Sequence, residues 1–140
     1  MKKKLYFGCA LAGLPAEHRS AMITIREGLK DHFEVLEFCP AGTDPREIYE
    51  HDINNCVASA DLMVAMCDKP SLGLGYEMST MVEKHHKPLL ILAHNDSQVS
   101  SLILGISNSK CEFRRYSDTS EILSLILDFE KRYFLISQSL

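Results

Sequence analysis

Short apolar runs alternate with amphipathic stretches along almost the whole chain. Leu5 to Cys9, Leu62 to Cys67 and Leu89 to Ala93 are continuously apolar, the pattern of strands buried on both faces of a parallel sheet. Phe33 to Phe38 alternates apolar with acidic residues and predicts a strand nearer the sheet edge, and Glu112 to Tyr116 predicts a last one. Between these runs the period changes to that of a helix. Ala21, Met22, Ile25 and Leu29 recur at helical spacing within Ala16 to His32. Arg46 to Ser59 reads as a helix with Asp44 as N-cap and Pro45 at its first position. Gly75 to His86 predicts a third helix. Ser120 to Phe134 predicts the last, with Ile122, Leu123, Ile126, Leu127 and Phe129 as its buried stripe.

Five strands alternating with helices predict one α/β domain over residues 1–140: a flavodoxin/Rossmann-like, five-stranded parallel sheet of order 2-1-3-4-5, flanked by helices. Ligands of such sheets bind beyond the carboxyl ends of the central strands. The site should therefore draw on Tyr6 to Gly13, Asp68 to Glu77 and His94 to Gly105.

Composition narrows the class of partner. The 140 residues are nearly half apolar and a quarter charged, with a net charge of −4, which is ordinary for a globular domain and gives no reason to expect nucleic acid. The basic start, Met1 to Lys4, leads straight into a strand pattern rather than a signal peptide. No apolar run approaches the roughly 20 residues of a membrane span, so a cytoplasmic protein is expected. Five scattered cysteines without a CxxC pair read as free thiols rather than a metal or redox centre. The adjacent His85 and His86 point about 100° apart on a helix and chelate poorly.

The chemistry concentrates at Pro70-Ser-Leu-Gly-Leu-Gly-Tyr-Glu77. A buried strand runs into a glycine-spaced loop that ends in a carboxylate where a helix begins. One reading of Glu77 is structural, an acid near a helix N-terminus stabilising the macrodipole. The other is a nucleophile or base facing the cleft. Gly73 and Gly75 alone form only GxG, weak evidence for a phosphate cradle. Asp52 shares a helix face with Ile48, Tyr49 and Cys56, so it is either paired inside the fold or lines a pocket. Asp61 reads as a turn or cap residue. Tyr6 and Phe7 face opposite sides of their strand. Carboxylates gathered above a sheet fit glycosyl chemistry, in which one captures an oxocarbenium-like centre and another protonates the leaving group.

Taken in order, Lys4-Leu-Tyr-Phe-Gly8, Ile48-Tyr-Glu-His-Asp52, Ala60-Asp-Leu-Met-Val-Ala65, Pro70 to Glu77 and Ser100 to Gly105 resemble the nucleoside 2-deoxyribosyltransferase superfamily. They look most like its 2'-deoxynucleoside 5'-monophosphate N-glycosidase branch. The resemblance implies that Glu77 is the nucleophile attacking C1', that Tyr6 orients it, and that Asp52 contacts the base or sugar and assists protonation. It implies no cofactor and no metal. It also implies a homodimer or higher oligomer in which Ser100 serves the neighbouring site.

The substrate turns on Ser71 and Ser100. Base-exchanging transferases of the superfamily carry Asp and Asn at these positions, suited to a free 5'-hydroxyl. A serine hydroxyl can instead donate to a phosphate, so the two serines, with Gly73, Gly75, Gly8 and Gly13, predict a phosphate seat and a monophosphate substrate. One departure opposes this. The branch's first loop carries a serine and an arginine where this chain has Ala10 and Ala12. Arg19 or His18 can supply the missing charge, or sit on a solvated helix face. A base-exchanging transferase and a nucleotide-binding module without turnover therefore stand as alternatives.

Overall fold

The computed structural model describes residues 1–10, 13–40 and 42–138. Five parallel strands, β1 (Lys4–Cys9), β2 (Glu34–Leu36), β3 (Leu62–Met66), β4 (Leu89–His94) and β5 (Cys111–Tyr116), lie in the order β2-β1-β3-β4-β5, as the alternation of periods predicts. The most apolar runs take the centre. Every residue of β3 is buried, because it pairs with β1 and β4 and is covered on both faces. The three-residue β2 is an edge strand, exposed or half-buried throughout.

The alternation of side chains across the pleat divides the interior into two layers. Leu5, Phe7, Val64, Leu90 and Leu92 face α1 (Ala16–Leu29) and α5 (Ile122–Gln138), where Met22, Leu29, Ile122, Ile126 and Phe129 meet them. Tyr6, Met63, Ala65 and Ile91 face the other way. They lie under α2 (Pro45–Tyr49) and α3 (Leu72–Ser79) with their extensions. A four-residue α4 (Ser101–Leu104) follows β4.

The helices depart from the pattern reading at several points. α1 stops at Leu29 because Lys30, Asp31 and His32 donate three residues back to Glu27, Gly28 and Leu29, a tightening that ends it. α2 begins as predicted, with the Asp44 carboxylate accepting from Arg46 N at 3.1 Å. Its continuation over Glu50–Val57 is π-helical, closed by an Ala58 N–H reaching five residues back to Ile53. α3 begins at Leu72 rather than Gly75, because Ser71 Oγ accepts from Leu74 N at 3.2 Å and caps it. The two glycines thus lie inside the helix. It continues as a π-helical turn over Thr80–Lys84.

Lys87 fastens the end of the π-helical segment. Its ammonium donates to the carbonyls of Ala58 and Ala60, each at 2.7 Å, where a helix end leaves acceptors unpaired. A Lys87→Met change keeps the apolar stem and loses both bonds. Urea unfolding should register a loss of about 1–3 kcal/mol, the range for hydrogen bonds to a charged group and for acceptors left unsatisfied.

Candidate active site

In a sheet of this order, β1 and β3 are the strands from which the chain departs in opposite directions, and ligands bind at their carboxyl ends. Three cavities lie on this side of the molecule. One of about 450 Å³ is lined by Ile48, Tyr49, Asp52, Leu72, Tyr76 and Glu77, among others. The next, of about 710 Å³, holds Ser71, Gly75 and Ser100 and shares Leu72 with the first. A third, of about 590 Å³, holds His18 and Asp68 and shares Lys69, Pro70 and Gln98 with the second.

Glu77 projects from the second turn of α3. The helix field falls off within the first turn, so the macrodipole does not account for this acid. Burial raises the Glu77 carboxyl to about 7, with the negative charge of Asp52 adding to the rise and Tyr6 opposing it. Its Oε2 and the Tyr6 hydroxyl are both sealed from solvent without a partner at full hydrogen-bond geometry. They act on each other nonetheless. Burial foremost, and then the adjacent Glu77 carboxylate, hold the phenol far above its ordinary range. Two sealed polar atoms without partners are a costly arrangement in a core.

Asp52 stands on the π-helical segment, a departure often found at functional sites. Its Oδ1 accepts from Cys39 N at 3.1 Å, and burial raises its carboxyl above the ordinary range. Cys39, His51 and Asp52 bring one potential metal-ligand atom each to within 4.8 Å of one another. Two of the three already have hydrogen-bond partners, since His51 Nε2 lies 2.7 Å from the Glu37 carbonyl and Asp52 accepts from the Cys39 amide. Burial pushes the thiols of Cys9, Cys56 and Cys67 up to about 12. These are poor nucleophiles at neutral pH.

The remaining sequence candidates separate. Ser71 and Ser100 line the middle cavity, and each hydroxyl caps a helix, Ser100 by accepting from Leu102 N at 3.3 Å. Gly73 lines the Glu77 cavity and Gly75 the middle one. Gly8 makes room for α3, since a Cβ there would stand 2.8 Å from Leu74 Cδ1. Gly13 turns the loop at φ 81°. Arg19 is exposed and reaches back to the Leu14 carbonyl at 3.5 Å, while its neighbour His18 lines the third cavity. Ala12 lies outside the described residues. Asp61 accepts from Lys4 N at 2.8 Å, at the amino ends of β1 and β3, and so belongs to the opposite edge of the sheet.

Two features escaped the pattern reading. Tyr49 and Tyr76 meet edge to face, ring centroids 6.2 Å apart, on the wall of the Glu77 cavity. Their only signal was position, three residues before Asp52 and one before Glu77. The second is the His18–Asp68 pair at 3.2 Å, fifty residues apart in sequence and without any local motif.

No family model matches the chain. The described residues form an α/β domain with cavities at the carboxyl edge of its sheet, and curated relatives resemble it in sequence. One from Thermofilum pendens, named "Putative 2'-deoxynucleoside 5'-phosphate N-hydrolase 1", is 36% identical over 84 residues, covering 59% of this chain and 57% of that protein. One of the same name from Methanosarcina mazei is 33% identical over 94 residues, covering 67% and 57%. The chain thus matches under two thirds of the length of these relatives. Its resemblance in sequence is to the N-hydrolase branch of the superfamily, as the motifs implied. Among solved structures, a Clostridium botulinum CMP N-glycosidase superimposes with TM-score 0.64 at 19% identity, covering 89% of this chain and 98% of that one. A 2-deoxyribosyltransferase from Leishmania mexicana does so at 0.52 and 17%, covering 86% and 85%. These two share the fold.

The raised Glu77 carboxyl has a sign that unfolding can read. The folded protein keeps this proton up to about pH 7, whereas the unfolded chain releases it near 4.5. Between those values the folded state binds more protons, so this group's contribution to stability falls as pH rises through the window. Glu77→Gln removes the penalty, and urea unfolding should show a gain of about 1–3 kcal/mol at pH 8 and none at pH 4. Gly73 offers a second check. A Cβ there meets nothing nearer than Ser71 Oγ at 4.0 Å, so Gly73→Ala should stabilise the helix by about 0.5–1 kcal/mol while weakening whatever occupies the cavity.

Proposed function

We propose that the protein hydrolyses the N-glycosidic bond of a (deoxy)ribonucleoside 5'-monophosphate, releasing free base and sugar 5-phosphate. The observation that carries this reading is the pair of carboxyls, Glu77 and Asp52, in one cavity, with burial raising both. The names of the relatives support the substrate class.

Two coupled carboxyls share one proton over an intermediate pH range, and that singly protonated pair is the productive state. Positive charge developing at C1' favours the anion on Glu77 and the proton on Asp52. The Glu77 oxygen then bonds to C1' as the C1'–N bond breaks. The bond's electrons go to the base nitrogen, and the base takes the Asp52 proton. Water, deprotonated by Asp52, next attacks C1' of the glycosyl ester and returns Glu77 as a carboxylate. Tyr6 orients the nucleophile from beneath, and Tyr49 with Tyr76 offers an aromatic wall for the leaving base. Ser71 and the backbone amides of the first two residues of α3 hold the phosphate beside this chain's Ser100, which lines the same cavity, and the Ser100 segment of a second copy closes the seat. Leu72 and Leu102 are 96% and 80% exposed on the rim, which supports a second copy of this chain covering it. No cofactor enters the scheme. No helix among the described residues is long and apolar enough to cross a membrane.

The test is a panel of nucleoside monophosphates scored for free base. Glu77→Ala should reduce release by at least about 10³-fold, as loss of a covalent nucleophile does. The ratio kcat/KM should fall as pH rises through about 7, where the shared proton leaves. A rate that instead climbs through pH 7 removes Asp52 as the acid. Base release unchanged in Glu77→Ala rejects the mechanism. Acceleration by a second free base without need of a 5'-phosphate makes the protein a transferase, and tight nucleotide binding without release makes it a binding module.

A further inference from the structure

Asp68 lies two residues beyond β3 and its side chain is 7% exposed, a buried carboxylate joined to three other elements. Oδ1 accepts from the Tyr116 hydroxyl at 2.8 Å and from His94 N at 2.7 Å. Oδ2 faces His18 Nε2 at 3.2 Å. The ends of β3, β4 and β5 and the first turn of α1 are thereby tied at one point. An acid bound this completely is a fixture, and what it fixes is the His18 ring. With Nε2 donating to Asp68, the other ring edge, Nδ1, is left for the cavity that His18 lines.

The other groups around that cavity narrow its ligand. His94 accepts at Nδ1 from Asp96 N at 3.1 Å and turns Nε2 to the Ser117 carbonyl at 3.0 Å, so both of its nitrogens are engaged within the protein. The Asp96 side chain, 92% exposed, lies at the cavity margin with its carboxylate 3.8 Å from His94 Nδ1. Lys69 stands on the wall shared with the Ser71 cavity. No side chain caps the amino end of α1, which opens at Pro15 on the same cavity. Donors thus face the cavity, and its one buried acid is already satisfied.

We infer that His18, oriented by Asp68, is the cationic half of the phosphate seat and sets the preference for a 5'-phosphorylated substrate. This rests on the monophosphate reading above and deepens it. In its protonated form the imidazole donates through both nitrogens, to Asp68 and to a phosphate oxygen at the junction with the Ser71 cavity. Lys69 adds charge from the shared wall. His18 is the binding residue and Asp68 a positioning residue that acts through it.

The experiment compares kcat/KM for the best monophosphate of the panel with that for the matching unphosphorylated nucleoside. His18→Ala should lower the ratio by about 10- to 100-fold through KM, the effect of a lost charged hydrogen bond, and His18→Lys should recover part of it. Asp68→Asn should move the same ratio in the same direction. Because Asp68 ties several elements together, the exposed-edge His18 variants carry the decision if Asp68→Asn does not fold. Equal losses on both substrates, or none on either, overturn the inference while leaving the hydrolase reading in place. If the wild-type protein releases no base from any monophosphate, that reading fails, and ribose 5-phosphate becomes the probe. Binding seen as a shift of the His18 imidazole NMR signals, with the calorimetric affinity lowered about 10-fold or more in His18→Ala, sustains the inference; no shift in wild type, or an unchanged affinity in His18→Ala, ends it.

Discussion

The structure turns on removing water from one carboxyl. Glu77 is set against the underside of α3, over a tyrosine with no exposed surface, and the rise of its pKa to about 7 comes first from that burial. Several features exist in service of it. Gly8 lacks the Cβ that would strike Leu74, so α3 can lie close on β1 and β3. Tyr6 is the inward residue of β1 on the α3 side. The π-helical turn carries Asp52 to the same cavity, and its charge adds to the rise at Glu77. Removing solvent also strengthens every electrostatic interaction inside the site, so the penalty in folding and the capacity for chemistry have one source.

The second constraint is topological. The crossovers that leave β1 and β3 run in opposite directions, with α1 on one face of the sheet and α3 on the other, and the crevice above the two strands needs no further construction. The loops after β3 and β4 then wall a run of three adjoining cavities, from Asp52 and Glu77 at one end to His18 and Asp68 at the other. A nucleotide, with its apolar base, reactive sugar carbon and anionic phosphate, has the same polarity along its length.

How much of this was legible follows from the range of each interaction. β3 and β4 were readable because full burial on both faces leaves an unbroken apolar run, and the Asp44-Pro45 start of α2 because capping is local. The start of α3 was misread, since two glycines look like a loop until Ser71 is seen to cap Leu74. The π-helical turn under Asp52 has no sequence signature, because the same apolar face suits either winding. Arg19 was the natural candidate for a cation by type alone. Which of two adjacent helical residues enters the cavity depends on how α1 is rotated against β3, and that rotation favours His18. Asp68 was placed in the segment expected to wall the site, but without a role. Its three partners come from segments 26 to 50 residues away, and only the assembled sheet brings them together.

The central claim is that Glu77 itself bonds to the sugar, and covalent trapping tests it most directly. A monophosphate whose 2-fluoro sugar slows the second step should leave the intact protein heavier by one fluorinated sugar phosphate, and peptide mapping should place that mass on Glu77. An adduct on another residue, or full turnover of the natural substrate with no adduct ever trapped, would contradict the account.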